Sequence, residues 1–129
     1  MSLNDPISNT LSKIMNAERV GKKECEVKSG RLMKQILDLL KDHLYIGAYE
    51  EVEDGKGGIL KLNLLGNINK CGTIKPRFSV KKTDFEKYEK RYLTAKDFGV
   101  IIVSTPQGIM THTEAKKKGI GGKLIAYCY

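Results

Sequence analysis

The residues able to do chemistry in this chain are few, and those able to hold a polyanion are many. His43 and His112 stand alone, and neither falls in a metal-ligand spacing or a nucleophile motif. Glu50, Glu51, Glu53 and Asp54 cluster beside a glycine-rich turn, which reads as a solvated strand end. Gly119-Ile120-Gly121-Gly122 is glycine-rich but lacks the Lys-Ser/Thr of a phosphate loop. An RNA-modifying or RNA-cleaving enzyme needs a positioned acid–base pair or a metal cluster, and the sequence offers neither. No catalytic residue, metal or cofactor is assigned.

Ser104-Thr105-Pro106-Gln107-Gly108 has a different character. Short hydroxyl side chains donate and accept, which suits base edges and ribose 2′-hydroxyls. Gly108 removes a side chain that would block close approach. On its own the segment also reads as a plain strand–turn–helix connection. Downstream, Lys116, Lys117 and Lys118 cover almost one helical turn. They fit backbone phosphates, which carry affinity but little sequence information; a lysine triplet is otherwise a solvated face. Between Lys70 and Lys82, basic residues flank Phe78. That pattern can bind phosphate and stack bases, but the reading adopted is Phe78 in the core and Arg77 exposed.

Charge separates the two halves. Residues 1–69 hold 10 Lys+Arg against 10 Asp+Glu, a net of zero; residues 70–129 hold 13 against 5, the whole excess of +8. A basic half beside a neutral half points to a polyanion on one side. A protein–protein adaptor would instead predict a large apolar patch and weak salt dependence. Three cysteines without a Cys-x-x-Cys argue against a disulfide framework or a zinc site. No apolar run reaches membrane-spanning length and Met1 to Ile7 form no signal region, so the chain is expected in the cytosol, without a membrane partner.

The elements that must position these residues follow from periodicity. Asp5-Pro6 opens a helix whose apolar face is Ile7, Leu11, Ile14 and Met15, ending near Gly21. Its other face, with Ser8, Asn9, Thr10, Ser12 and Lys13, is small and polar. Glu24–Lys28 reads as an edge strand. Ser29 is expected to cap a second helix through Leu32, Met33, Ile36, Leu37 and Leu40, stopping near His43. Leu44–Val52 and Ile59–Leu65 read as strands around a turn at Asp54–Gly58. After a boundary at Gly66–Pro76 come a short strand at Phe78–Val80 and a helix striped by Phe85, Tyr88 and Tyr92. Val100–Val103 reads as a central strand. Thr111-His112-Thr113-Glu114 has capping-box spacing for a helix ended by Gly119, and Lys123–Tyr129 closes as a strand. The expected fold class is α+β in two small lobes. Residues 1–66 form an N-terminal α/β lobe (α-β-α-β-β); residues 67–129 form a C-terminal, mostly β lobe with short helices that carries the RNA surface.

Residues Ser104 to Thr111, followed by Glu114-Ala115-Lys116-Lys117-Lys118-Gly119-Ile120-Gly121-Gly122-Lys123, resemble the C-terminal signature of the small-subunit ribosomal protein eight family. Asn69-Lys70-Cys71-Gly72, Pro76-Arg77-Phe78, Asn16-Ala17-Glu18 and Lys22 resemble its archaeal and eukaryotic branch. The resemblance implies direct, early binding to a stem with an unpaired core in the central domain of small-subunit ribosomal RNA, with neighbouring small-subunit ribosomal proteins as further partners. Repression of the protein's own messenger RNA is the alternative role it carries. It places Ser104, Thr105, Pro106, Gln107 and Gly108 in the stem's core. Arg77, Glu114, Lys116, Lys117, Lys118, Gly121 and Gly122 are assigned to the same surface. Asp5, Ser8, Asn9, Ser12 and Lys13 are assigned to RNA backbone. Where this chain has Pro106 and Gln107, the bacterial branch commonly has Ser and Lys; where it has Ser79, that branch has a Tyr.

Overall fold

The computed structural model describes residues 6–53, 55, 58–74, 78–81, 83–93 and 99–129. The expectations placed on Asp5, Asp54, Lys56, Gly57, Lys75, Pro76, Arg77 and Lys82 lie outside them. The architecture is α+β in two lobes, and the chain divides between Ile68 and Asn69.

In the first lobe, α1 (Pro6–Arg19) buries Ile7, Thr10, Leu11, Ile14 and Ala17; Thr10, expected on the outer face, lies one turn before Ile14 and turns inward with it, while Met15, expected inside, is half-buried. β1 (Glu24–Lys28) precedes α2 (Arg31–Asp42), which buries Met33, Ile36, Leu37 and Leu40; Leu32, expected on the same face, is exposed, at the edge of the stripe in the first turn. β2 (Ile46–Val52) and β3 (Ile59–Leu64) complete an antiparallel sheet ordered β1-β3-β2. Leu60, Leu62 and Leu64 alternate inward from the central strand.

Ser29 does not cap α2: the N-cap is Gly30, with no side-chain cap, and the Ser29 hydroxyl donates to Glu51 instead. A charge-assisted hydrogen bond to a carboxylate on β2 orients the Ser29 side chain toward the sheet, and Gly30 takes the cap position in its place. β2 starts two residues later than expected because Leu44 and Tyr45 still belong to the end of α2. Their amides donate to Lys41 O (3.0 Å) and Leu40 O (2.9 Å), the paired bonds of a Schellman cap. Leu44 accordingly sits at φ 64°, where glycine is usual.

The second lobe contains β4 (Cys71–Thr73), β5 (Ser79–Val80), α3 (Phe85–Tyr92), β6 (Val100–Thr105), β7 (Gly108–Thr111), α4 (His112–Lys118) and β8 (Gly122–Cys128). Its five-stranded antiparallel sheet runs β4-β8-β6-β7, with β5 also on β8. Ile74, Val80, Phe85, Leu93, Ile101, Val103, Met110, Ala115 and Leu124 form the core. Each large side chain fully removed from water there contributes about 1.5–3 kcal/mol. Val100–Val103 is buried throughout, as an internal strand requires. β4 and β7 are additions to the expected elements. Each is too short to show alternation and is defined by the strand beside it.

Candidate nucleic-acid interface

The segment expected as a loop, Ser104–Gly108, is the tip of a hairpin. Ser104 pairs with Ile109 and Thr105 with Gly108, so only Pro106 and Gln107 connect the strands. Pro106 presets a negative φ and so excludes the primed turns that match strand twist. Gly108 supplies a positive φ directly after the turn, at 115°. A Cβ there would meet nothing within 4 Å, so the tip stays open to a close-approaching partner.

The two hydroxyls expected to act together have different surroundings. Thr105 is buried, and its Oγ1 donates to Gly108 O at 2.7 Å and accepts from the Gln107 amide at 3.2 Å. It holds the turn. Ser104 is exposed, and its backbone is fixed from both sides by Ile109 on β7 and Lys123 on β8.

Lys123 in turn pairs with Ser79 on β5. Register partners point to one face of a sheet, so Ser79, Lys123 and Ser104 form an exposed row of hydroxyl, ammonium and hydroxyl across three strands. Gly121 and Gly122 make that closeness possible. A Cβ on Gly122 would lie 2.2 Å from Ser104 O, and one on Gly121 2.2 Å from Val80 O. Their place at the site is to let β6 and β5 close on β8. Lys123 was not singled out by residue type; the signal for it is its outward place beside buried Leu124 in β8.

The lysine triplet also divides. Thr111 caps α4 by accepting from the Glu114 amide, and Gly119 ends it at φ 69°, as expected. Lys117, Lys118 and Glu114 are exposed. Lys116 is half-buried and donates to Glu89 on α3, a residue 3% exposed. His112 is fully buried; its Nδ1 accepts from the Ile101 amide at 3.0 Å, and its Nε2 lies 3.5 Å from the same Glu89 oxygen. This Glu–His–Lys cluster was invisible as a spacing because 23 residues separate Glu89 from His112. Glu89 and His112 are shut away from solvent and the cluster ties α3, α4 and β6 together, so it serves packing. Phe78, half-buried against the core, packs against Tyr88 with ring centroids 5.4 Å apart and planes tilted by 36°, and is covered by Arg91 at 5.3 Å. Its ring is already occupied.

In the first lobe, Ser12 and Lys13 are exposed on α1, with Ser8 and Asn9 half-buried beside them. Lys13 lines an open hollow of about 780 Å³ with Asn16, Lys22, Cys25 and Lys61. Burial pushes the Cys25 thiol up, away from the thiolate a nucleophile needs.

The second lobe thus presents a hydroxyl–ammonium row mounted on its sheet, an open turn, and exposed Lys117 and Lys118. The Ribosomal protein S8 family model matches residues 5–129. The chain belongs to that family. Membership in the Ribosomal protein S8 family makes it an RNA-binding component of the small ribosomal subunit, with ribosomal RNA and neighbouring ribosomal proteins as partners. The family is a structural class of the translation machinery. No helix among the described residues is long and apolar enough to cross a membrane.

Proposed function

We propose that this protein binds directly to a stem with an unpaired core in the central domain of small-subunit ribosomal RNA, and that this contact helps assemble the subunit. The observation that carries the reading is the β6–β7 hairpin, whose exposed Ser104 is held between two strands while buried Thr105 braces the tip. A regular A-form groove hides its bases, whereas an unpaired core offers base edges and 2′-hydroxyls to short, rigid donors. Pre-ordered groups lose little entropy on binding, so more of their hydrogen-bond energy appears as affinity. Lys117, Lys118 and Lys123 supply phosphate contacts, and Ser12 and Lys13 of α1 add backbone contacts from the first lobe. We assign residues 67–129 the larger share of affinity, since the excess charge of +8 lies beyond Asn69.

Footprinting the purified protein on intact small-subunit ribosomal RNA tests this. Protection is expected on one irregular stem of the central domain, with affinity falling steeply as salt rises. Protection elsewhere, or a flat salt dependence, refutes the assignment.

A further inference from the structure

We propose that Cys71 and Cys128 are an oxidation site, a dithiol pair poised to close a reversible cross-strand disulfide within the second lobe. The two residues are register partners on β4 and β8. Their rung type follows from its neighbour: the Lys70 amide donates to Tyr129 O at 2.9 Å and the Tyr129 amide to Lys70 O at 2.8 Å. That makes Lys70/Tyr129 a hydrogen-bonded pair, and the next rung, Cys71/Cys128, a non-hydrogen-bonded one. Such rungs bring Cα atoms to about 4.5 Å, at the short end of the range a disulfide spans, about 4.4–6.8 Å. Both side chains point to the same face of the sheet, and both are buried, at 7% and 1% exposure. The backbone therefore holds two sulfurs together that lie 57 positions apart (128 − 71). None of the three cysteines is disulfide-bonded in this structure.

The oxidant is a small peroxide, since burial excludes bulky reagents. The Cys71 sulfur, the more exposed of the two, attacks one peroxide oxygen; the O–O bond breaks, the departing hydroxide takes up the Cys71 thiol proton as water, and a sulfenic acid remains. The Cys128 sulfur then attacks that sulfur, the S–O bond breaks, and the thiol proton leaves with the hydroxyl as water. Two thiols are oxidised and one peroxide is reduced to two waters. The bridge reverts through thiol–disulfide exchange with a small dithiol reductant. Once formed, it locks β4, an end strand of the sheet, onto β8.

The test treats the intact reduced protein with hydrogen peroxide, then alkylates it in denaturant and measures intact and peptide masses. The expected product has lost two hydrogens and two alkylatable thiols, shows a Cys71–Cys128 peptide bridge, and reverts with dithiothreitol. A Cys25→Ser variant should behave identically. In Cys128→Ala, Cys71 should instead be trapped as a sulfenic acid by dimedone added together with the denaturant. Hydrogen exchange at the Ile74 amide, which donates to Ile125 O at 2.9 Å, should slow roughly tenfold on oxidation as local opening of β4 is blocked. Oxidation confined to Cys25, bridges only between chains, or Cys71 and Cys128 both still alkylated after treatment would overturn the proposal.

Discussion

Ser104→Ala and Thr105→Val remove one hydroxyl each from adjacent residues, and the structure requires opposite outcomes. Thr105 Oγ1 makes two hydrogen bonds inside the turn, to Gly108 O and from the Gln107 amide. Each is worth about 1 kcal/mol net. Valine keeps the branched shape, so Thr105→Val should destabilise the protein by about 1–2 kcal/mol. Ser104 is exposed, so Ser104→Ala should change stability by less than about 0.5 kcal/mol. In the complex, however, loss of its hydroxyl leaves a desolvated RNA group without a partner, at about 1–3 kcal/mol. That corresponds to cognate binding weakened roughly 5- to 150-fold, with little change for a plain duplex. The assay pairs urea unfolding, followed by circular dichroism because the chain has no Trp, with affinities for cognate stem and plain duplex in one buffer. If Ser104→Ala lowers both affinities equally, or if Thr105→Val leaves stability untouched while abolishing discrimination, the roles given to these two hydroxyls are wrong.

Lys117→Ala and Lys118→Ala should weaken binding to all RNAs alike and lower the salt slope by roughly one for each phosphate no longer neutralised. Lys116→Ala should instead cost about 1–2 kcal/mol of stability, read by urea unfolding, because Glu89 stays buried with less compensation; equal effects of all three would refute the division. Leu44→Gly should stabilise the protein by about 1 kcal/mol, seen as a raised unfolding midpoint, because an exposed leucine holds a left-handed cap position. Tyr49, which donates to Asp38 at 2.6 Å, has its phenol pushed from 10.0 up to about 12 by burial and by that carboxylate. A raised folded-state value means its stabilising contribution is complete below about pH 10 and lost as pH rises through about 12. Phenolate absorbance should show a last ionisation that Tyr49→Phe removes; an unchanged titration refutes it.

Periodicity and punctuation made most of this protein legible without coordinates. The stripe Met33, Ile36, Leu37, Leu40, the alternation of Leu60, Leu62 and Leu64, the unbroken run Val100–Val103, and the Thr111 cap with Gly119 all stand where nearest-neighbour rules place them. These features depend on backbone geometry within a few residues, which the local sequence carries in full. The charge split at Asn69 and the signature from Ser104 to Lys123 belong to the same readable layer. What tertiary structure decided are choices between partners distant in the chain. Ser29 forgoes a helix cap for Glu51, Lys116 turns from solvent to Glu89, and Thr105 turns inward once Gly108 pairs with it across a two-residue turn. Cys71 meets Cys128, and Lys123 joins Ser79 and Ser104, only through strand register. A hydroxyl or ammonium takes the strongest partner that folding brings within about 3 Å, and which partner that is depends on the packing of the whole lobe.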